Sequence, residues 1–285
     1  MPSKILLQTT IPATEDDWSI ARFELLRSFL AGVKDEAGSP AFDVTARNRA
    51  PLGNPDPVIS NLGASDFNAL WLFAVDGGDN LTPEDCAGIT AFRQRGGGIM
   101  VTRDHMDLGS SICTLGGIGA AHHFHTRNVN PDDARHVIDD PFTTYISWPN
   151  FHSGANGDYQ EIVVAGPEHP VLRGVRYLPA HPHEGDVDAP LGDASARVIA
   201  WGKSKVTGQP FNLAVAFEAS DAGGRAIAQS TFHHFADYNW DPASGCPSFV
   251  TEPPGHGIAD TPAAQQSIRA YARNVALWLV GRPVG

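Results

Sequence analysis

The chain has 285 residues, of which 42% are hydrophobic, and a formal net charge of −12 at neutral pH. This hydrophobic content is sufficient for a sizeable core and argues against a disordered protein. The negative charge and the lack of a Lys/Arg cluster argue against nucleic acid or an anionic membrane as a partner. No apolar run is long enough to span a membrane, and the N-terminus lacks a secretory-signal pattern, so we expect a cytoplasmic protein.

The first hundred residues alternate predicted strands and helices, an order typical of a doubly wound parallel sheet. Thr14 is the predicted N-cap of the first helix, and Thr82 and Pro83 begin the second. The strands are expected at 4–10, 42–46, 70–75 and 99–102, and the helices at 14–32 and 82–96. In such a sheet the C-terminal ends of the strands meet along one edge, where ligands bind.

Several polar residues directly follow these strands and are therefore candidate site residues. They are Thr10, Asn48, Asp76, Asp104 and His105. His105 can act as an acid or base near neutral pH, because the usual histidine pKa is about 6.5, and Asp104 can orient it. In the alternative interpretation, both residues only satisfy backbone groups of the turn.

The second part of the chain is less regular. Its further strands are predicted at 161–164, 197–201, 213–217 and 225–229, and their close spacing favours antiparallel pairing at the sheet edge. Long loops cover 106–160 and 238–260, and an amphipathic helix spans about 262–279. Because we find neither an internal repeat nor a linker, we expect one domain over residues 1–285.

The segment Gly96–His105, GGGIMVTRDH, resembles the glycine-rich strand and histidine of the ThuA-like (trehalose-utilisation) family. This family belongs to the class I glutamine-amidotransferase-like superfamily. The resemblance continues at 115–117, 122–125, 168–175, Glu184 and 224–237. It implies a flavodoxin-like α/β fold, with a mostly parallel sheet, antiparallel edge strands and long loops over the C-terminal strand edge. For some members it also implies a role in sugar metabolism, especially that of keto-disaccharides.

The turn after the fourth strand departs from the amidotransferases that this superfamily contains. Those enzymes have a nucleophilic cysteine there, whereas this chain has Asp104 and His105. The nearest thiol, Cys113, lies further along the chain. A nucleophile must lie within hydrogen-bond reach of its base, so we do not expect glutamine hydrolysis by a cysteine thiolate. The three cysteines are also too few and too scattered for a disulfide framework or a cysteine zinc site.

All 12 histidines lie at or after position 105, and several are clustered. On an extended segment His123 and His125 point to the same face, and together with His183 they could bind a zinc-like divalent metal. Otherwise these are loop and pocket histidines without a metal. His233 and His234 point to opposite sides of the chain if the segment is extended. The resemblance favours His234 as the residue that faces the pocket, with Asp237 fixing its tautomer; alternatively, Asp237 caps a helix.

These patterns predict an enzyme that acts by acid–base chemistry on a small polar substrate, carbohydrate-derived or carbonyl-bearing. The predicted catalytic residues are His105, His234 and Asp104. The predicted substrate-binding residues are Thr10, Asp76, His123, Glu184, Asp237 and Trp240. The alternatives are a metal-dependent hydrolase that uses the histidine clusters and a non-catalytic ligand-binding protein. The expected partner is a small molecule, and the sequence leaves the substrate and a homo-oligomeric state open.

Overall fold

The computed structural model describes residues 1–285, with Cys113 and Thr114 described by their backbone alone. The described strands are β1 (Ser3–Thr9), β2 (Phe42–Arg47), β3 (Ala69–Phe73), β4 (Gly98–Thr102), β5 (His122–His123), β6 (Tyr159–Glu161), β7 (Val163–Val164), β8 (Tyr177–Pro179), β9 (Asp186–Val187), β10 (Ala196–Lys203), β11 (Pro210–Phe217) and β12 (Ala226–Gln229). The α-helices are α1 (Glu24–Gly32), α2 (Pro83–Gln94), α3 (Asp237–Trp240), α4 (Gly257–Asp260) and α5 (Pro262–Leu279). Among the described residues, none of the helices has the length and apolarity needed to cross a membrane.

Eight of the described strands form one sheet in the order β2-β1-β3-β4-β12-β11-β10-β7. The strands from β2 to β12 pair in parallel, and the remaining pairs are antiparallel. This confirms the predicted α/β fold with a mostly parallel sheet and antiparallel strands at one edge. Strand β12 differs from the prediction because it also pairs in parallel with β4 and therefore lies inside the sheet.

Alternate residues of the central strands face two separate cores, because successive side chains of a strand point to opposite faces. Ile5, Leu7 and Trp71 pack on one face, together with residues of α1 and α5. Leu6 and Leu72 pack on the other face, together with residues of α2. Both faces are covered, and for this reason the strands read as continuous apolar runs in the sequence.

Helix α1 begins about ten residues later than predicted. The Thr14 hydroxyl donates to the carbonyl of Pro12 and does not cap a helix. The first N–H groups of α1, those of Glu24 and Leu25, instead donate to the two carboxylate oxygens of Asp237, at 3.0 and 2.9 Å. The prediction of the start was wrong because the cap comes from a residue far away in the sequence. Helices α2 and α5, whose starting signals are local, begin where they were predicted.

The glycine run before β4 allows a close approach to the end of α5. A Cβ atom on Gly98 would lie 2.8 Å from the carbonyl carbon of Leu279, closer than such contacts occur. Gly96 has a φ of 96°, which favours glycine. This run therefore fixes the position of β4 in the sheet, and with it the position of the residues that follow β4.

Candidate functional site

A cavity of about 380 Å³ lies at the C-terminal ends of β4 and β12. These two strands pair in parallel, so the segments that follow them lie side by side. The backbone N–H of Phe232 donates to the carbonyl of Arg103 at 2.9 Å and joins the two segments. Asp104, His105, His181 and His233 line the cavity, and segments 143–146 and 249–252 of the predicted long loops also contribute to its wall.

The turn after β4 is held in a strained conformation by Arg103. The buried guanidinium of Arg103 donates to the carbonyl oxygens of Met106 at 2.8 Å and Asp186 at 3.1 Å. Met106 has a φ of 49°, which is uncommon for a residue other than glycine and costs conformational energy. Because these contacts hold the turn in one conformation, Asp104 and His105 leave β4 in fixed directions.

Three histidine rings surround the buried carboxylate of Asp104. The Nδ1 atom of His105 lies 3.2 Å from Oδ2, the Nε2 atom of His181 lies 3.5 Å from Oδ1, and the Nε2 atom of His233 lies 3.7 Å from Oδ2. The Thr231 hydroxyl donates to Oδ1 at 3.1 Å. Burial opposes the charge of Asp104, but its contact with His105 favours the charged form, and the pKa of Asp104 lies well below its usual value. The carboxylate is therefore charged at neutral pH.

Two asparagines fix the tautomers of two of these rings. Asn239 donates through Nδ2 to the carbonyl of Ala180 at 3.1 Å, and a carbonyl can only accept. The Oδ1 atom of Asn239 must therefore accept from Nδ1 of His233, at 2.9 Å. The same Nδ2 group donates to Oδ1 of Asn156, which in turn accepts from Nδ1 of His181; both distances are 2.8 Å. In their neutral forms both rings are protonated on Nδ1 and have a lone pair on Nε2.

The surroundings of these two rings favour the neutral form. Burial lowers the pKa of His181 to about 4 and that of His233 well below its usual value. The two rings stack with 3.5 Å between their centroids, and Trp18 packs edge-on against His233. Two unprotonated nitrogens thus face the charged carboxylate of Asp104, at distances too long for hydrogen bonds.

His183 connects the segments that contribute to the cavity wall. Its Nε2 atom bonds to Oε1 of Glu252 at 3.0 Å, and its Nδ1 atom lies 3.3 Å from Oδ1 of Asn150 and 3.5 Å from Oδ2 of Asp140. Thr143 also donates to Glu252. The hydrogen bond from His183 lowers the pKa of Glu252 to about 2. We call these contacts of His183 and Glu252 the latch.

The structure corrects the prediction that His234 faces the pocket. After β12 the chain turns into a short 3-10 helix, Phe232–His234, so the alternation of an extended segment does not apply. His233 lines the cavity, whereas His234 is buried elsewhere. The Nδ1 atom of His234 lies 2.7 Å from Nε2 of Gln229, and its Nε2 atom lies 3.3 Å from Oε1 of Glu184.

Glu184 is fully buried and belongs to a polar network. It is not among the described residues that line the cavity. The hydroxyls of Ser153 and Ser230 donate to its two carboxylate oxygens at 2.6 Å each. Gln160 and His234 complete the set of partners. Because four buried side chains bond to it, Glu184 supports the fold next to the site rather than contacting a substrate.

Four other predicted substrate-binding residues hold the backbone, and none of them is among the described residues that line the cavity. Thr10 accepts a hydrogen bond from a backbone N–H, and Asp76 accepts from N–H groups of the turn that follows it. Asp237 caps α1, which is the alternative that the sequence left open. Trp240 donates to the carbonyl of His234 at 2.9 Å.

The predicted metal ligands His123, His125 and His183 do not form one cluster. The Nδ1 atoms of His123 and His125 bond to the backbone carbonyls of Asn128 and Trp148, whereas His183 belongs to the latch. The described groups whose ligand atoms converge are instead Asp104–His181–His233 and Asp140–His183–Glu252. The side chain of Cys113 lies outside the described residues.

Several residues around Asp104 were not predicted from the sequence. His233 belongs to the adjacent pair His233 and His234, and the parallel pairing of β12 with β4 would have placed it beside Asp104, whereas His181 was not among the predicted site residues. Asn156 and Asn239 carry no comparable signal, because the contacts of Asn239 with Ala180 and Asn156, and of Asn156 with His181, join positions that are distant in the sequence.

Comparisons with known proteins address the fold. No model of a known protein family matches the chain, and no curated protein matches it significantly. A ThuA-like protein from Parabacteroides merdae has a TM-score of 0.54 and 15% identity, over 100% of this chain and 92% of that chain. A ThuA-like protein from Bacteroides uniformis gives 0.49 and 12%, over 99% and 93% of the two chains. A glutamine amidotransferase from Thermotoga maritima gives 0.46 and 9%, over 99% of each. The similarity to the Parabacteroides merdae protein shows that the chain shares the α/β fold of a ThuA-like protein, as the sequence resemblance predicted.

Proposed function

We propose that this protein is an enzyme that moves a proton to or from a small, uncharged substrate with hydroxyl or carbonyl groups. The pairing of His105 with Asp104 is the observation that carries this proposal. The His105 side chain is 16% exposed and reaches the cavity, whereas Asp104 behind it is 3% exposed. A histidine backed by a buried carboxylate is a common arrangement for general acid–base catalysis. The 3.2 Å contact is not aligned as a hydrogen bond, and such contacts often tighten when a substrate binds.

The charges around the cavity argue against an anionic substrate. Carboxylates of Asp17, Asp104 and Glu252 line it, and its described lining contains neither lysine nor arginine. A phosphorylated or carboxylated substrate would therefore meet repulsion. The side chains of Tyr145 and Phe249 also line the cavity and are 82% and 56% exposed. Their aromatic rings offer apolar faces for a sugar ring.

The resemblance to ThuA-like proteins is consistent with a carbohydrate-derived substrate, but the structural likeness concerns the fold alone. The turn after β4 has Asp104 and His105 at the place of the amidotransferase cysteine. Acid–base chemistry such as hydrolysis, isomerisation or elimination therefore fits this turn better than glutamine hydrolysis by a thiolate.

A turnover screen tests the proposal. The full chain is incubated with aldoses, ketoses, trehalose and other disaccharides and their keto derivatives, and products are followed by NMR. We expect His105→Ala to lower turnover by about 100-fold or more. His256→Ala, which changes an exposed histidine outside the described cavity lining, should retain it. Equal turnover by His105→Ala and the wild type would contradict the proposal. Binding without turnover by the wild type would favour the ligand-binding alternative instead.

A further inference from the structure

We propose that Asp104, His181 and His233 bind one divalent transition-metal ion at the floor of the cavity. The three side chains come from separate segments of the chain, and each is nearly fully buried. Their ligand atoms lie within 4.8 Å of one another. Two imidazoles and one carboxylate are a donor set suited to Zn²⁺ and related first-row ions. Three protein ligands leave at least one coordination position open toward the cavity.

On the side that faces away from Asp104, the rings of His181 and His233 make the kind of hydrogen bond that metal-binding histidines make. Such a histidine donates its other ring N–H to an oxygen acceptor, which fixes the ring and frees the ligating nitrogen. Asn239 and Asn156 provide this acceptor for His233 and His181, respectively. The Nε2 atom of His181 has no hydrogen-bond partner in this buried position. Its lone pair therefore points at Asp104 without a donor to satisfy it.

The distances also favour an ion over a shared proton. A proton shared between nitrogen and oxygen would bring the two atoms to about 2.7–2.9 Å. The two nitrogen–oxygen distances are 3.5 and 3.7 Å. Two ligands of a tetrahedral ion with bonds of about 2.1 Å lie about 3.4 Å apart. Each ring nitrogen lies close to this distance from one carboxylate oxygen, His181 from Oδ1 and His233 from Oδ2. Because the two rings are stacked, one of them must turn for both Nε2 atoms to bind a single ion together with one oxygen.

The second converging group, formed by Asp140, His183 and Glu252, does not meet the same criteria. His183 already bonds to Glu252 at 3.0 Å, and its other nitrogen lies 3.3 Å from Oδ1 of Asn150. Neither ring nitrogen of His183 is therefore left for an ion. This difference assigns the metal to Asp104 and leaves the second group as the latch.

An ion at Asp104 would lie beside His105, the proposed proton-transfer group. A divalent ion can polarise a carbonyl or hydroxyl oxygen of a substrate, which would lower the barrier to acid–base chemistry. The assignment of the metal rests on the geometry of the three ligands and not on the proposed reaction. Metal binding without turnover would thus retain this inference and reject the proposed function, and turnover without metal binding would do the reverse.

Metal titration of the full chain, purified without a histidine tag and stripped with chelator, tests the inference. Calorimetry with Zn²⁺ should give one ion per chain. Asp104→Asn and His181→Ala should each weaken binding by about 100-fold or more, and visible spectra with Co²⁺ should report nitrogen and oxygen ligands in the wild type. The double variant His123→Ala/His125→Ala is the control and should bind as the wild type does.

Asn239 allows a sharper comparison, because it acts through His233. Asn239→Leu removes the acceptor of the His233 ring N–H and should weaken Zn²⁺ binding by about 10- to 100-fold. Circular dichroism confirms that each variant is folded. Failure of the folded wild type to bind Zn²⁺ stoichiometrically would overturn the inference, as would unchanged binding in a folded His181→Ala variant.

Discussion

His233 and His234 are adjacent in the chain but are held in opposite tautomers. His233 donates from Nδ1 to Oδ1 of Asn239 at 2.9 Å, which leaves its Nε2 unprotonated. His234 accepts at Nδ1 from Gln229 at 2.7 Å and donates from Nε2 to Glu184 at 3.3 Å. The partners on either side thus make one ring available to the cavity and enclose the other in a structural network.

The network around Glu184 should be important for stability. Glu184→Ala would leave the buried donors of Ser153, Ser230 and His234 without their acceptor. We expect it to lower the free energy of unfolding by about 3–5 kcal/mol, measured by urea denaturation. Glu218→Ala is the control, because Glu218 is half-exposed and pairs only with His169 among the described ion pairs. It should cost about 1 kcal/mol or less. Similar losses in both variants would contradict the role of Glu184.

The latch should keep the cavity wall closed. Glu252→Ala removes the acceptor for His183 and Thr143, and a hydrogen bond to a charged group contributes about 1.5–3 kcal/mol. Amide hydrogen exchange should therefore be roughly tenfold faster in residues 143–146 and 249–252. Glu161→Ala, which breaks an exposed ion pair with Arg176, should leave exchange there unchanged. Equal exchange in the wild type and Glu252→Ala would show that the latch does not hold the wall.

The cap of α1 should make stability depend on pH. Burial raises the pKa of Asp237 to about 6 from a usual value of 3.8. The folded state therefore binds the proton more tightly than the unfolded state. This contribution to stability is complete below about pH 4 and is lost as the pH rises through about 6.

The Asp237→Asn variant isolates this effect, since its amide does not ionise. The melting temperature of the variant minus that of the wild type should become more positive between pH 4 and pH 7. A difference that stays constant, or that moves the other way, would contradict the raised pKa. The pH dependence of the wild type alone is not sufficient, because other groups titrate in the same range.

Gly185 should be intolerant of a side chain because it packs against the turn after β4. A Cβ atom there would lie 2.5 Å from the carbonyl oxygen of Asp104 and also contact the Arg103 guanidinium. Gly185→Ala should therefore cost about 1–3 kcal/mol in unfolding free energy and disturb metal binding at Asp104. Gly32→Ala is the matched control, because its Cβ would meet open space. It should change stability by about 0.5 kcal/mol or less.

The sequence predicted those parts of the site that depend on local signals. Apolar runs and the helix-start signal of Thr82 and Pro83 predicted the strands and helices of the parallel sheet, and the end of β4 pointed to Asp104 and His105, which line the cavity. The choice of His234 over His233 failed because the chain leaves β12 through a 3-10 helix. Asn239 could not have been predicted, since its effect depends on tertiary contacts with residues about 60 and 80 positions away.

The metal site proposed at Asp104 depends most directly on which ring nitrogens of His181 and His233 carry a proton. Long-range proton–nitrogen NMR of the metal-free protein, with labelled histidines assigned by single substitutions, measures it directly near neutral pH. We predict that His181 and His233 carry a proton on Nδ1 and none on Nε2, and that Zn²⁺ shifts both Nε2 resonances. A proton on Nε2 of either ring, or Nε2 resonances that Zn²⁺ leaves unchanged, would contradict the account.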